Sequence, residues 1–206
     1  MRVKICGMTR AEDIQAAAHA GADAIGLVFY PPSPRAVSTA QAVELVAAVP
    51  PFVTSVGLFV NPAAEQVDEV CSELDLDLLQ FHGEESAEDC ALLAAGMRWM
   101  KAIRMRPEMN VLAEMQSYAA AGASGVLLDA YQPGVPGGTG STFDWSRVPN
   151  ERPLPLVLAG GLTPENVGAA ITAVQPWAVD VSGGVEAAPG LKSADAIRQF
   201  VSAARG

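Results

Sequence analysis

Short apolar runs alternate with longer segments of helical period along the whole chain. The apolar runs are Val3–Cys6, Ala24–Phe29, Thr54–Val60, Leu78–Phe81, Met100–Arg104, Gly125–Asp129, Leu156–Ala159 and Ala178–Val181. They are too short for stable helices and rich in Val, Leu and Ile, so they predict β-strands. Between them, Ala11–Ala20, Thr39–Val49, Ala63–Leu74, Ala87–Ala95, Asn110–Ala121, Pro164–Val174 and Ala194–Ala204 carry the spacing of amphipathic helices. The slot after Asp129 holds instead a Gly/Pro-rich loop and one turn at Phe143–Arg147. Repeated βα units require parallel strands with right-handed crossovers, and eight of them predict an α/β fold closed as a (β/α)8 TIM barrel. The main alternative is an open doubly wound sheet. That fold usually carries a Gly-rich loop after its first strand. Here the strand runs into Cys6-Gly7-Met8-Thr9, which is not that fingerprint.

Local signals mark the helix ends. Thr9 followed by Glu12 predicts a capping box. Thr163-Pro164 predicts a capping hydroxyl and then proline at the first helical position. Gly21, Gly96 and Gly122 follow helical segments, where a left-handed residue often closes the helix.

Composition narrows the picture. The chain has 206 residues, 50% of them hydrophobic, enough for one substantial core. No polar linker or low-complexity stretch divides it, so a single domain over residues 1–206 is expected. The net charge of −10 disfavours nucleic acid as a partner. It leaves room for an anionic small molecule, because backbone N–H groups hold phosphate locally. Cys6, Cys71 and Cys90 are widely spaced and odd in number, which predicts reduced thiols. The N-terminus has no secretory pattern and no run reaches the length of a membrane span, so a soluble cytoplasmic protein is expected. On protein partners the sequence is silent.

Barrel chemistry sits at the C-terminal ends of the strands. The first strand ends at Cys6. Side chains alternate along a strand, so packing Val3 and Ile5 on helices turns Lys4 and Cys6 inward. A thiolate at a pocket mouth is a competent general base, although a lone cysteine is more often a small buried hydrophobe. Cys71 and Cys90, within helices, keep that second reading. The sixth strand ends at Asp129, a poor strand residue that is either a loop anchor or a carboxyl acid/base. Strands one and six face each other across a barrel mouth, which makes Cys6 and Asp129 a candidate pair.

The seventh and eighth strands run into Gly160-Gly161 and Ser182-Gly183-Gly184. The loops after these strands are the usual phosphate position in this fold, and glycines let backbone N–H groups approach an anion. The loop after the second strand carries Arg35, suited to a carboxylate. His82 follows the fourth strand and is read as a substrate-facing or structural polar group. No metal-ligand constellation is visible.

In order and spacing, several motifs resemble those of the phosphoribosylanthranilate isomerase family over nearly the whole chain. They are Lys4-Ile5-Cys6-Gly7-Met8-Thr9, the segment from Gly21-Ala22-Asp23 to Ser33-Pro34-Arg35, and Val56-Gly57-Leu58-Phe59-Val60-Asn61. The others are Gln80-Phe81-His82-Gly83, the segment from Gly137-Gly138-Thr139-Gly140 to Phe143-Asp144-Trp145, Leu158-Ala159-Gly160-Gly161-Leu162 and Asp180-Val181-Ser182. The resemblance implies a barrel isomerase of tryptophan biosynthesis with a small phosphorylated substrate and no cofactor. It implies Cys6 as general base, Asp129 as general acid, Arg35 on the anthranilate carboxylate and the two glycine turns on the phosphate. The family often has a second serine at Gly183 and an aspartate at Ser193. Two rival readings are another phosphate-binding barrel enzyme, such as a sugar-phosphate epimerase, and a non-catalytic sensor of a phosphorylated ligand.

Overall fold

The structure is a computed structural model and describes residues 1–130 and 142–206. The Gly137-Gly138-Thr139-Gly140 motif lies outside the described residues. Eight parallel strands close a barrel in sequence order: β1 (Arg2–Cys6), β2 (Ala24–Val28), β3 (Thr54–Phe59), β4 (Leu78–Phe81), β5 (Trp99–Arg104), β6 (Gly125–Asp129), β7 (Leu156–Leu158) and β8 (Ala178–Val181). The helices are α1 (Ala11–Ala20), α2 (Thr39–Ala47), α3 (Ala64–Glu73), α4 (Ala87–Ala94), α5 (Val111–Ala120), α6 (Val167–Val174) and α7 (Ala194–Arg205). A 3-10 turn at Trp145–Arg147 fills the helix-poor slot before β7. Two short strands follow β8: β9 (Glu186–Ala188) and β10 (Leu191–Lys192), paired antiparallel.

The strand register sorts side chains into two cores. Lys4 lies opposite Ala24 on one side and Asp180 on the other, so these face the barrel axis together. Val56, Met100, Ala102, Leu127 and Ala159 fill the interior. The alternate set faces outward onto the helices: Val3 and Ile5 from β1 join Ile14 and Ala17 of α1 and Phe200 of α7 in one continuous core. Each large side chain fully buried there stabilises the fold by roughly 1.5–3 kcal/mol. Stacked, tilted and edge-on ring contacts run Phe29–Phe59–Phe81–Trp99–Tyr118, from the end of β2 across to α5.

The helix ends repeat the expected pattern in part. Gly21, Gly96 and Gly122 take φ of 94°, 88° and 93°. The two N-terminal expectations need correction. Arg10 precedes α1 with no side-chain cap, and Thr9 Oγ1 instead donates to Gly190 O at 2.5 Å. The β9–β10 hairpin brings that acceptor to the hydroxyl, and the distant contact displaces the local cap. At α6 the helix starts at Val167, after a turn through Pro164, Glu165 and Asn166; Asn166 Oδ1 accepts from Thr163 N at 2.8 Å. Ser193 caps α7, its Oγ accepting from Ala196 N at 3.3 Å. The serine thus supplies the N-cap acceptor that an aspartate would otherwise provide. No described helix is long and apolar enough to cross a membrane.

Candidate active site

β1 delivers Lys4 and Cys6 to the barrel axis, as alternation requires. Lys4 Nζ donates to Asp180 Oδ1 at 2.7 Å, a buried ion pair beneath the thiol. Burial raises the Cys6 pKa above that of an ordinary thiol. Lys4 opposes that rise, Asp180 adds to it and Lys192 opposes it. Lys4 itself is held protonated, because its attraction to Asp180 and Cys6 overcomes desolvation.

Asp129 ends β6, buried, with both carboxyl oxygens engaged. Oδ1 accepts from Ala130 N at 2.8 Å, and Oδ2 lies 3.0 Å from His82 Nε2. On its other side His82 Nδ1 meets Gln80 Nε2 at 3.0 Å. With Asp129 ionised, the Gln80 amide donates to Nδ1, which leaves the imidazole proton on Nε2 and aims it at the carboxylate. Glu85 and Lys101 fix the loop that follows His82. Glu85 accepts from Gly83 N at 2.9 Å and from Asn61 N at 2.6 Å, and Lys101 Nζ donates to Gly83 O at 2.9 Å.

Arg35 reaches the mouth from the proline-rich loop after β2. Ser33 Oγ accepts from Arg35 N at 3.1 Å and tightens that loop. The guanidinium is already paired: Nε and Nη2 donate to Glu186 Oε1 and Oε2 at 2.7 and 2.8 Å. Among the described residues Nη1 has no hydrogen-bond partner, and Arg35 borders the cavity.

The two glycine turns lie side by side. Gly160 has φ of 82°, and a Cβ there would meet Ala130 N at 2.5 Å. A Cβ on Gly184 would meet Leu162 O at 1.9 Å, so the turn after β8 packs backbone to backbone on the turn after β7. Gly184→Ala is expected to cost about 1–3 kcal/mol of stability through this overlap. A denaturant midpoint unchanged from wild type would contradict that contact.

Cys6, Arg35, His82, Asp129, Gly160, Gly161, Ser182, Gly183 and Gly184 all border one cavity of about 310 Å³ at the C-terminal ends of the strands. That volume is at the lower end of those that hold small ligands. The cavity wall also includes Val28, Leu58 and Tyr30, an apolar side on which an aromatic ring can lie. Among the described residues, no group of three or more His, Cys, Asp or Glu is placed to hold a metal ion. Cys71 and Cys90 lie outside this cavity. Burial pushes the Cys90 thiol up to about 12, consistent with an inert packing role.

Gln80, Asp180, Glu186 and Lys192 join the polar network around the cavity; Gln80 and Asp180 lie in motifs that carry the family resemblance but are not singled out by sequence as site residues, and Glu186 and Lys192 lie in none. Asp180 carries a local signal, an acidic residue within an apolar strand. Gln80 shares the face of His82 by alternation, whereas Glu186 and Lys192 belong to a hairpin too short to read from periodicity.

The fold and its mouth define a (β/α)8-barrel enzyme, with polar groups converging where barrels of this kind do their chemistry. Residues 3–203 match the family described as N-(5'phosphoribosyl)anthranilate (PRA) isomerase. The chain is 58% identical over 207 aligned positions to the N-(5'-phosphoribosyl)anthranilate isomerase of Pseudomonas aeruginosa, covering 100% of this chain and 95% of that protein. The crystal structure of the phosphoribosyl anthranilate isomerase of Thermotoga maritima superposes with a TM-score of 0.88 at 43% identity, covering 100% of this chain and 99% of that one. A structure of phosphoribosyl anthranilate isomerase in complex with reduced 1-(o-carboxyphenylamino)-1-deoxyribulose 5-phosphate superposes with a TM-score of 0.82 at 40% identity, covering 100% and 99%. The chain belongs to the N-(5'-phosphoribosyl)anthranilate isomerase family.

Proposed function

We propose that this protein converts N-(5'-phosphoribosyl)anthranilate to 1-(2-carboxyphenylamino)-1-deoxyribulose 5-phosphate in tryptophan biosynthesis, by an acid/base Amadori rearrangement. The observation that carries this reading is the convergence of Cys6, Asp129, Arg35 and both glycine turns on one cavity, in a chain of this family. The glycine turns and Ser182 hold the phosphate, and Arg35 meets the anthranilate carboxylate through Nη1. The phosphate supplies remote binding energy that orients the reacting carbons.

Asp129, as the carboxylic acid, gives its proton to the ribose ring oxygen. The C1'–O bond breaks and the nitrogen lone pair forms a C1'=N iminium. The iminium acidifies C2'–H, and Cys6 thiolate removes that hydrogen. The C–H electrons become the C1'=C2' bond, and the C=N π electrons return to nitrogen as an enolamine. Reprotonation at C1' and loss of the enol proton give the C2' ketone. His82 orients Asp129 through its Nε2 contact and borders the sugar region. Each step needs only a placed proton donor or acceptor, so the route calls on no metal or redox cofactor.

The three free cysteines support a reducing compartment, and we assign the protein to the cytoplasm. The one closed barrel supports a single domain over residues 1–206.

Turnover of N-(5'-phosphoribosyl)anthranilate, generated in situ because it is labile, tests the reading. Conversion to the amino-ketose supports it. A folded protein that binds inorganic phosphate but leaves the substrate unchanged would place the chain among phosphate-ligand sensors. Arg35→Met removes one charge-assisted contact while keeping much of the side-chain stem. It is expected to raise KM about 10–100-fold, the range for a hydrogen bond to a charged group. An unchanged KM would show that the carboxylate is held elsewhere.

A further inference from the structure

The arginine assigned to the substrate carboxylate and the serine assigned to its phosphate belong to one partly buried chain of contacts. Glu186 Oε1 accepts from Arg35 Nε at 2.7 Å and from Lys192 Nζ at 2.8 Å, while Oε2 accepts from Arg35 Nη2 at 2.8 Å. Lys192 Nζ turns its remaining donors on Ser182, reaching the carbonyl O at 3.2 Å and Oγ at 3.4 Å. Pairing of β9 with β10 sets Lys192 directly against Glu186, so the two share one end of the hairpin. The Lys192 side chain is 0% exposed. Burial lowers the Lys192 pKa and Glu186 opposes that fall, while all three ammonium donors find acceptors.

Two features distinguish this cluster from a brace for the hairpin alone. Glu186 grips Arg35 along one edge of its guanidinium, which fixes the plane and directs the remaining nitrogen, Nη1. The cluster also carries two cations against one carboxylate, so one positive charge stays beside a cavity meant for a substrate with two anionic ends. Lys192 reaches the phosphate turn without itself bordering the cavity.

We propose that Glu186 and Lys192 are positioning residues, linked as Arg35–Glu186–Lys192–Ser182 to set the spacing between the carboxylate contact and the phosphate turn. The inference rests on the ligand assignments made above for Arg35 and Ser182. Glu186 acts through Arg35 on the aromatic end, and Lys192 acts through Ser182 on the phosphate end.

A double-mutant cycle on KM for N-(5'-phosphoribosyl)anthranilate tests this. Glu186→Gln, nearly isosteric, is expected to raise KM about tenfold, the order of one charge-assisted contact, with a smaller change in kcat. In the Arg35→Met background the same substitution is expected to change KM by less than about twofold, because its route to the substrate is gone. Lys192→Met is expected to raise the inhibition constant of inorganic phosphate by about tenfold. Glu186→Ala, carried through the same cycle, stands in if the Gln variant folds poorly. Equal KM effects with and without Arg35, or phosphate inhibition unmoved by Lys192→Met, would overturn the proposal and leave the cluster a structural brace. Wild-type turnover is measured first. Its absence removes the proposed function, whereas normal turnover with independent effects removes only this inference.

Discussion

Cys6→Ser is expected to lower kcat by about 10²–10⁴-fold, the usual contribution of a general base. That range corresponds to about 2.7–5.5 kcal/mol of barrier. Cys6 is buried at the cavity wall, and serine is close enough in shape to leave the barrel intact, so thermal unfolding and inhibition by inorganic phosphate should stay near wild type. The chemistry changes because a hydroxyl is a far weaker base than a thiolate. Burial outweighs Lys4 and Lys192 and keeps the free-protein thiol above its ordinary pKa. In the proposed mechanism the working form is the thiolate, so kcat/KM should show a limb that rises with pH as the thiol ionises above its ordinary range. Cys6→Ser should lose that limb. Near-wild-type kcat in the variant, or a limb that persists in it, would remove Cys6 from the proton transfer.

Asp129→Asn should produce the second large loss, in kcat with little change in KM. The amide keeps the carboxyl's shape and one acceptor oxygen for Ala130 N, but it turns an NH2 group toward His82 Nε2 and does not donate a proton as an acid does. An interaction needed only as the ring opens belongs to the transition state, so its removal appears in kcat. The expected fall is again about 10²–10⁴-fold. A large rise in KM at unchanged kcat would make Asp129 a binding residue instead.

The barrel was legible because each strand is a short apolar run and each crossover has helical spacing. Inward placement of Lys4 and Cys6 followed from alternation alone. Local capping signals did less well. Thr9 turned to Gly190 O, a partner far along the chain, and Thr163 opened a turn rather than the helix itself. At Thr9 a tertiary acceptor overrides the local preference, whereas at Thr163 the competing contact is itself local, Asn166 Oδ1 accepting from Thr163 N. Residues of the mouth could be read where they end strands or sit in Gly-rich turns. Their supporting partners could not. Glu186 matters for Arg35 because folding joins residues 151 positions apart, and Asp180 pairs with Lys4 across 176. Nothing in local spacing encodes those pairings.

The central claim divides the chemistry between two residues: Asp129 opens the ring, and Cys6 then takes the C2' hydrogen. The most direct test is the kinetic isotope effect of substrate deuterated at C2', measured on kcat for both variants. Cys6→Ser slows the C–H cleavage itself and should show the full primary effect. Asp129→Asn makes ring opening limiting and should show an effect near unity. The reverse order, with the large effect in Asp129→Asn and none in Cys6→Ser, would contradict the assignment of both residues.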